Sequence, residues 1–209
     1  MTFRPRSGLR LIVGLGNPGL MYEPTRHNVG FRVVQRLVRS LDAHGPFFGE
    51  QAELFRADQD GLEWVLARPL TYMNASGRSV RALVARTGAS LEQLLVIYDD
   101  MALPPGRVRV RARGSSGSHR GMQSIIDALG TQEVARIRIG IGSPPPGQSA
   151  ADYVLSPPEP TQAPLLAQAV ELAAQAAQHW ALYGIEAAMN RFNRPSAAAG
   201  SPPGPPAPA

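Results

Sequence analysis

Two short apolar runs constrain this chain more than anything else in it. "LRLIVGLG" (9–16) stops at Asn17, and "LLVIYDD" (94–100) ends in Asp99 and Asp100. Runs of this length, closed by glycine or acid, read as buried strands. Buried strands need covering layers, and the intervening segments supply them. "HNVGFRVVQRLVRSL" (27–41) places Val29, Val33, Val34, Leu37 and Leu41 at amphipathic-helix spacing. "SGRSVRALVART" (76–87) reads as a helix ended by Gly88. "SHRGMQSIIDALG" (118–130) starts with a Ser118 cap and stops at Gly130. Residues 161–193 form a long alanine-rich helical region interrupted at Gly184. "AELFRAD" and "LEWVLARP" pair as strands around the turn at 59–61, and "GRVRVRAR" (106–113) and "RIRIGIG" (136–142) alternate as strands do. Strands interleaved with helices specify an α/β layered domain, here a single one over residues 1–194. The Pro/Gly/Ala-rich segment 195–209 reads as a disordered tail.

Composition narrows the chemistry. The 209 residues include no cysteine, which removes disulfides, thiolate metal sites and cysteine nucleophiles. All 21 basic residues are arginine, so a Schiff-base lysine and a Walker lysine are impossible. Phosphate contacts must come from arginine forks, backbone N–H groups or hydroxyls. The formal net charge of +5 makes a polyanionic partner plausible. No apolar run approaches the roughly 20 residues of a membrane span, and "MTFRPRSGLR" is too polar for a secretory signal. A cytoplasmic protein with no membrane association is expected.

"GLGNPG" (14–19) carries the G-x-G-x-x-G spacing of a dinucleotide site after a strand. The third glycine should open a helix whose N-terminus meets the pyrophosphate. Here "LMYEPTR" follows instead, and Pro24 makes the residue before it non-helical. The acidic residue expected about 20 positions on is also missing. A tight turn after a strand accounts for Gly14 and Gly16, but not for Asn17 and His27.

In open α/β sheets the active site lies at the carboxyl ends of strands. Asn17 follows the first strand, Asn74 follows "LARPLTYM", and Asp99 and Asp100 end "LLVIY". His119 and Arg120 follow the flexible "RGSSGS", and His27 opens a helix. One histidine, one carboxylate and several amides form a hydrolytic set with no serine or cysteine placed as nucleophile.

Together these segments resemble bacterial peptidyl-tRNA hydrolases over about residues 9–193. "LIVGLGNPGLMYEPTRHNVGF", "RPLTYMNASG", "IYDDMALPPGRVRVR", "GSSGSHRGMQSII" and "RIRIGIG" occur in the family's order and spacing. The resemblance implies a monomeric enzyme with a twisted mixed β-sheet flanked by helices. It would cleave the ester between the tRNA 3′ end and a prematurely released peptide, without metal or organic cofactor. His27 matches the catalytic base, Asp99 its carboxylate partner, and Asn17 and Asn74 the amides holding the peptide end and the attacking water. Tyr22 and Met73 match cleft-lining side chains, Arg111 and Arg138 a pair gripping the tRNA 5′-phosphate, and the segment after Asp99 a gate. His119 and Arg120 fall where the family usually has His-Asn. Arginine only donates, so it cannot reproduce an amide's dual role. Ser118 and Ala102 are milder departures.

The residues suit that chemistry. A neutral imidazole can activate water, and a carboxylate on its other nitrogen fixes the tautomer and stabilises the imidazolium formed in the transition state. Amides offering donors and acceptors can recognise a peptide bond. Alternate residues Arg107, Arg109, Arg111 and Arg113 offer one face to an RNA backbone. Two other readings stay open: an RNA-binding relative without turnover, favoured by Arg120, and a nicotinamide-dependent enzyme, favoured by the glycine spacing.

Overall fold

A computed structural model describes residues 8–194; the expected tail lies outside the described residues. The chain runs β1 (Leu9–Gly14), α1 (Val29–Ser40), β2 (His44–Gly49), β3 (Ala52–Gln59), β4 (Leu62–Pro69), α2 (Ser76–Thr87), β5 (Leu94–Asp100), β6 (Val108–Arg111), α3 (Arg120–Leu129), β7 (Ala135–Gly140), α4 (Ala150–Val154) and α5 (Ala163–Phe192). The seven strands form one mixed sheet in the order β2-β3-β4-β1-β5-β7-β6. β4, β1, β5 and β7 run parallel, while β3 and β6 pair antiparallel to β4 and β7.

Strand alternation sorts the core into two layers. Ile12, Leu66, Leu95, Ile97, Ile137 and Ile139 pack beneath α1 and α5. Leu11, Val13, Val65, Val96 and Tyr98 pack beneath α2 and α3. No helix among the described residues is long and apolar enough to cross a membrane.

The expected strands at 94–100 and 52–69 and the helix at 76–87 form with nearly the expected limits. α5 is interrupted at Gly184, whose φ of 84° and ψ of 173° are non-helical. Four expectations need correction. β2 had no expected counterpart; most of its residues are exposed, and an edge strand without a buried face leaves no apolar periodicity. α4 was also unforeseen, being one short helix in a Pro/Gly-rich stretch. α3 is capped by His119, whose ring accepts the Met122 N–H, and not by Ser118, which takes a left-handed φ of 67°. The "RGSSGS" loop is tethered at its base: buried Arg136 donates to the carbonyls of Gly114 and Ser115, at 2.6 and 3.0 Å.

The glycine fingerprint is explained by packing. A Cβ on Gly14 would lie 2.2 Å from the Gly30 carbonyl oxygen in α1, and one on Gly30 would lie 2.5 Å from Leu15 N and Ile97 O. A Cβ on Gly16 would meet the Phe31 ring at 2.7 Å. The glycines let α1 press against the ends of β1 and β5. This close approach brings the start of α1 to the carboxyl edge of the sheet.

α4 is held to the same place by Arg26, which is 2% exposed. The Arg26 backbone N–H donates to Ser156 O at 3.0 Å. Its Nη1 donates to Tyr153 O, Ser156 O and Ser156 Oγ, and its Nη2 to Gln162 Oε1. The guanidinium also stacks 4.1 Å over the Tyr153 ring. Tyr153 in turn donates its hydroxyl to Ile141 O at 2.6 Å.

Two outcomes follow from this packing. Gly14→Ala should destabilise the protein by about 1–3 kcal/mol, because the added methyl meets backbone that cannot rotate away. Denaturant unfolding checks this, and an unchanged midpoint would mean α1 is not pinned by that contact. Arg26→Met should cost about 1.5–3 kcal/mol, the value of hydrogen bonds to a charged group, with Arg26→Lys recovering only part. Protection of the 150–156 amides from hydrogen exchange should fall with it.

Candidate active site

The carboxyl ends of β1, β4 and β5 open into a cleft of about 500 Å³. Its wall includes Asn17, Tyr22, His27, Met73, Asn74 and Asp99, with His119 and Arg120 on the α3 side. Every cleft residue expected from the sequence is therefore at one site. Ala150, Ala151, Val154 and Leu155, in and just after α4, close another side.

Asp99 is 1% exposed, near the end of β5. His27 lies in a 3₁₀ turn, Arg26–Asn28, immediately before α1. Its Nδ1 donates to Asp99 Oδ1 at 2.8 Å and approaches Oδ2 at 3.0 Å. This leaves the other ring nitrogen, Nε2, without its proton and available to a water. His119 Nε2 lies 3.0 Å from the same Asp99 Oδ1. The tautomer of His119 is set by its other side: Nδ1 accepts the Met122 N–H at 3.1 Å, so the proton sits on Nε2 and is donated to Asp99. Burial by itself pushes the Asp99 carboxyl up, but the charge and hydrogen bonds of His27 and His119 outweigh it. The carboxyl is held well below the usual carboxylate range.

His27, Asp99 and His119 are also the one trio among the described residues with metal-ligand atoms close together. The wiring of His119 opposes an ion there. A metal on Nε2 would require the proton on Nδ1, where it would face the Met122 N–H donor instead of accepting from it. The trio is built to hold protons and a carboxylate charge.

The amides divide their work unequally. Asn17 Oδ1 accepts the Met73 N–H at 2.8 Å, which fixes the amide and leaves its NH₂ and one Oδ1 lone pair for the cleft. Asn28 fixes Asn17 from behind, accepting its N–H at 2.8 Å and donating to its carbonyl at 2.9 Å. Asn28 was not singled out from the sequence; its only signal there is adjacency to His27. Asn74 is exposed and caps neither the 3₁₀ turn Met73–Ala75 nor α2. Its donor and acceptor both remain available. Arg120, the first residue of α3, is exposed at the cleft. The Tyr22 and Tyr72 rings meet edge-on with centroids 6.4 Å apart.

The expected arginine face is smaller than the spacing implied. β6 is only four residues long. Arg107 donates to Asn193 O at 2.9 Å, and Arg113 pairs with Glu133 at 3.3 Å. Arg109 and Arg111 lie opposite Arg138 and Arg136 in register, so all four share one face of the sheet. Arg136 is buried in its carbonyl contacts, and Arg138 is ion-paired through Nε with Asp100, itself part of the cleft wall. Desolvation, followed by repulsion from Arg109 and Arg138, pushes the Arg111 guanidinium below its ordinary value. Positive charge without a carboxylate partner is thus left on Arg109 and Arg111 of β6, beside the Arg138–Asp100 pair that reaches the cleft wall.

A family model described as peptidyl-tRNA hydrolase matches residues 11–200. The peptidyl-tRNA hydrolase of Aquifex aeolicus (strain VF5) is 45% identical over 186 residues, covering 89% of this chain and 97% of that protein. The one from Syntrophomonas wolfei subsp. wolfei is 46% identical over 187 residues, covering 88% of this chain and all of that protein. The crystal structure of peptidyl-tRNA hydrolase from Acinetobacter baumannii superposes with a TM-score of 0.83 at 31% identity, over 90% of this chain and 95% of that one. An n-propanol complex of a peptidyl-tRNA hydrolase superposes at 0.85 with 30% identity, over 92% and 98% of the two chains. The chain belongs to the peptidyl-tRNA hydrolase family.

Proposed function

We propose that this cleft hydrolyses the ester joining a peptide to the 3′ end of tRNA, with water activated by His27. The observation that carries the reading is the buried Asp99 carboxylate accepting from His27 Nδ1, which leaves His27 Nε2 as an acceptor at the cleft. Water attacks the ester carbonyl carbon and gives its proton to Nε2. The tetrahedral intermediate then collapses, the bond to the ribose oxygen breaks, and the imidazolium returns the proton to that oxygen. Asp99, ionised across this cycle, stabilises the imidazolium without taking its proton. The Asn17 NH₂ is a candidate donor to the oxyanion; such donors are worth ~2.7–4 kcal/mol each. Asn74 retains an acceptor for the water. Tyr22 and Met73 line the space for the peptide end, with Arg120 at the rim.

Arg111 and Arg138 serve the tRNA 5′-phosphate in this reading, with Arg138 anchored by Asp100 at the cleft wall. The enzyme works as a monomer in the cytoplasm, its substrate being the peptidyl-tRNA released there. The glycine spacing no longer favours a nicotinamide enzyme, since Gly14 and Gly16 are spent on packing against α1. The intact His27–Asp99 pair likewise weighs against an RNA-binding relative without turnover.

His27→Ala should lower kcat on an N-blocked aminoacyl-tRNA by about 10²–10⁴-fold while leaving tRNA affinity near normal. Asp99→Asn should also act on kcat, and an effect confined to KM would remove Asp99 from the chemistry. Arg111→Ala and Arg138→Ala should raise KM for tRNA-linked substrate and flatten its dependence on salt, each phosphate contact contributing about one unit of slope. A short N-blocked aminoacyl nucleotide without a 5′-phosphate should be nearly indifferent to both changes; equal losses on the two substrates would refute the phosphate role.

A further inference from the structure

Beside the cleft lies a second cavity of about 530 Å³, with Asn17 belonging to both. Its wall is built from α1 and from the β3–β4 side of the sheet, including Arg32, Arg39, Arg68 and Glu53, with Leu20 and Leu70 at its edge. Nothing in the reaction just described uses it.

Arg32 is the feature that asks for a ligand. It is largely buried, yet it has no carboxylate partner among the described residues. One Nη2 donates to Thr25 O at 3.2 Å, and its buried Nε–H has no acceptor. Burial pushes this guanidinium below its ordinary value. Arg68 is different: it is ion-paired with Glu53, which leaves that acid neutralised. Glu23 also lines the cavity but is exposed and makes no ion pair within the described residues. A buried guanidinium carries donors only, so the missing component is rich in acceptors.

Two arguments favour a peptide over RNA. Leu20 is 87% and neighbouring Met21 75% exposed, and Leu70 is exposed beside them, an apolar rim unsuited to phosphates. The sheet order also separates the two sides. The arginines without a carboxylate partner, Arg109 and Arg111, lie on β6 at one edge of the sheet, the His27–Asp99 pair sits at β5 and β1, and this cavity sits at β4 and β3. An ester at His27 therefore has the RNA-type surface on one side and this cavity on the other.

We propose that the cavity receives the peptide part of the substrate beyond the ester-linked residue. Arg32 donates to its main-chain carbonyls, and Leu20, Met21 and Leu70 take its apolar side chains. This rests on reading the neighbouring cleft as the hydrolytic site.

The test compares N-acetyl-aminoacyl-tRNA with N-acetyl-tetrapeptidyl-tRNA carrying the same tRNA and the same ester-linked residue. In Arg32→Met, which keeps the side chain's apolar bulk, kcat/KM for the tetrapeptidyl substrate should fall about tenfold, the value of one charge-assisted hydrogen bond. The aminoacyl substrate should change less than about twofold on that scale. Leu20→Ser should act in the same sense. Equal changes on both substrates would overturn the proposal. So would weaker binding of deacylated tRNA to Arg32→Met, which would make the cavity an RNA site. Titration of the wild-type and variant proteins with the N-acetyl tetrapeptide amide gives an arm that needs no turnover. If the wild type hydrolysed neither substrate, the function proposed above would fail. The cavity assignment would still be decided by whether Arg32→Met weakens peptide binding.

Discussion

One buried carboxylate organises the site. Asp99 is sealed at the end of β5, where an ionised group without compensation would be prohibitively costly. No arginine among the described residues is ion-paired with it. Its acceptors are filled instead by two imidazoles from different elements, His27 before α1 and His119 before α3. Each imidazole has to arrive within hydrogen-bonding distance, so the positions of both helix starts follow from this one charge. Gly14 and Gly30 let α1 come close enough, and the N-cap bond from Met122 N–H turns His119 so that its Nε2 proton faces the carboxylate.

The two histidines are thereby made unequal. His119 has both ring nitrogens engaged by protein and has nothing left to exchange with solvent. His27 has one engaged and one at the cleft. The same inequality separates the asparagines, since Asn17 is clamped by Asn28 and Met73 while Asn74 is unencumbered. The site thus pairs each fixed group with a freer one of the same chemical type. Such an arrangement is preorganised where the Asp99 charge is held and leaves hydrogen-bonding groups free where the cleft opens.

Much of this was legible because buried strands and their ends leave strong sequence signals. "LLVIYDD" declared both a central strand and its acidic terminus, and "SGRSVRALVART" followed by glycine declared a helix and its stop. The site residues were legible as polar groups placed just after such strands. What escaped notice lacked local periodicity or depended on distant partners. β2 exposes most of its residues, and α4 is a single short helix held mainly by Arg26, a residue more than a hundred positions earlier in the chain. Asn28 read as a neighbour of His27, because its task, clamping the Asn17 backbone, exists only once β1 and α1 have packed. The tautomer of His119 likewise depends on a cap bond that Ser118 was expected to make.

The arginines show why net charge is a poor guide to an RNA surface. With no lysine in the chain, one residue type must perform every cationic task. Arg26 and Arg136 are buried girders whose forks hold carbonyls, a geometry that suits the planar guanidinium and not an ammonium. Arg36, Arg68 and Arg113 are matched to Glu171, Glu53 and Glu133. The alternating run that promised a four-arginine face surrenders its ends to Asn193 and Glu133. Around the site, the arginines without a carboxylate partner among the described residues are Arg109 and Arg111 on β6 beside the Asp100-bound Arg138, Arg120 at the cleft, and Arg32 and Arg39 in the neighbouring cavity, while Arg78 and Arg81 lie exposed on α2. β6 and the neighbouring cavity lie on opposite sides of the His27–Asp99 pair in the sheet, so it is the distribution of uncommitted charge, and not its total, that gives this chain's surface its direction.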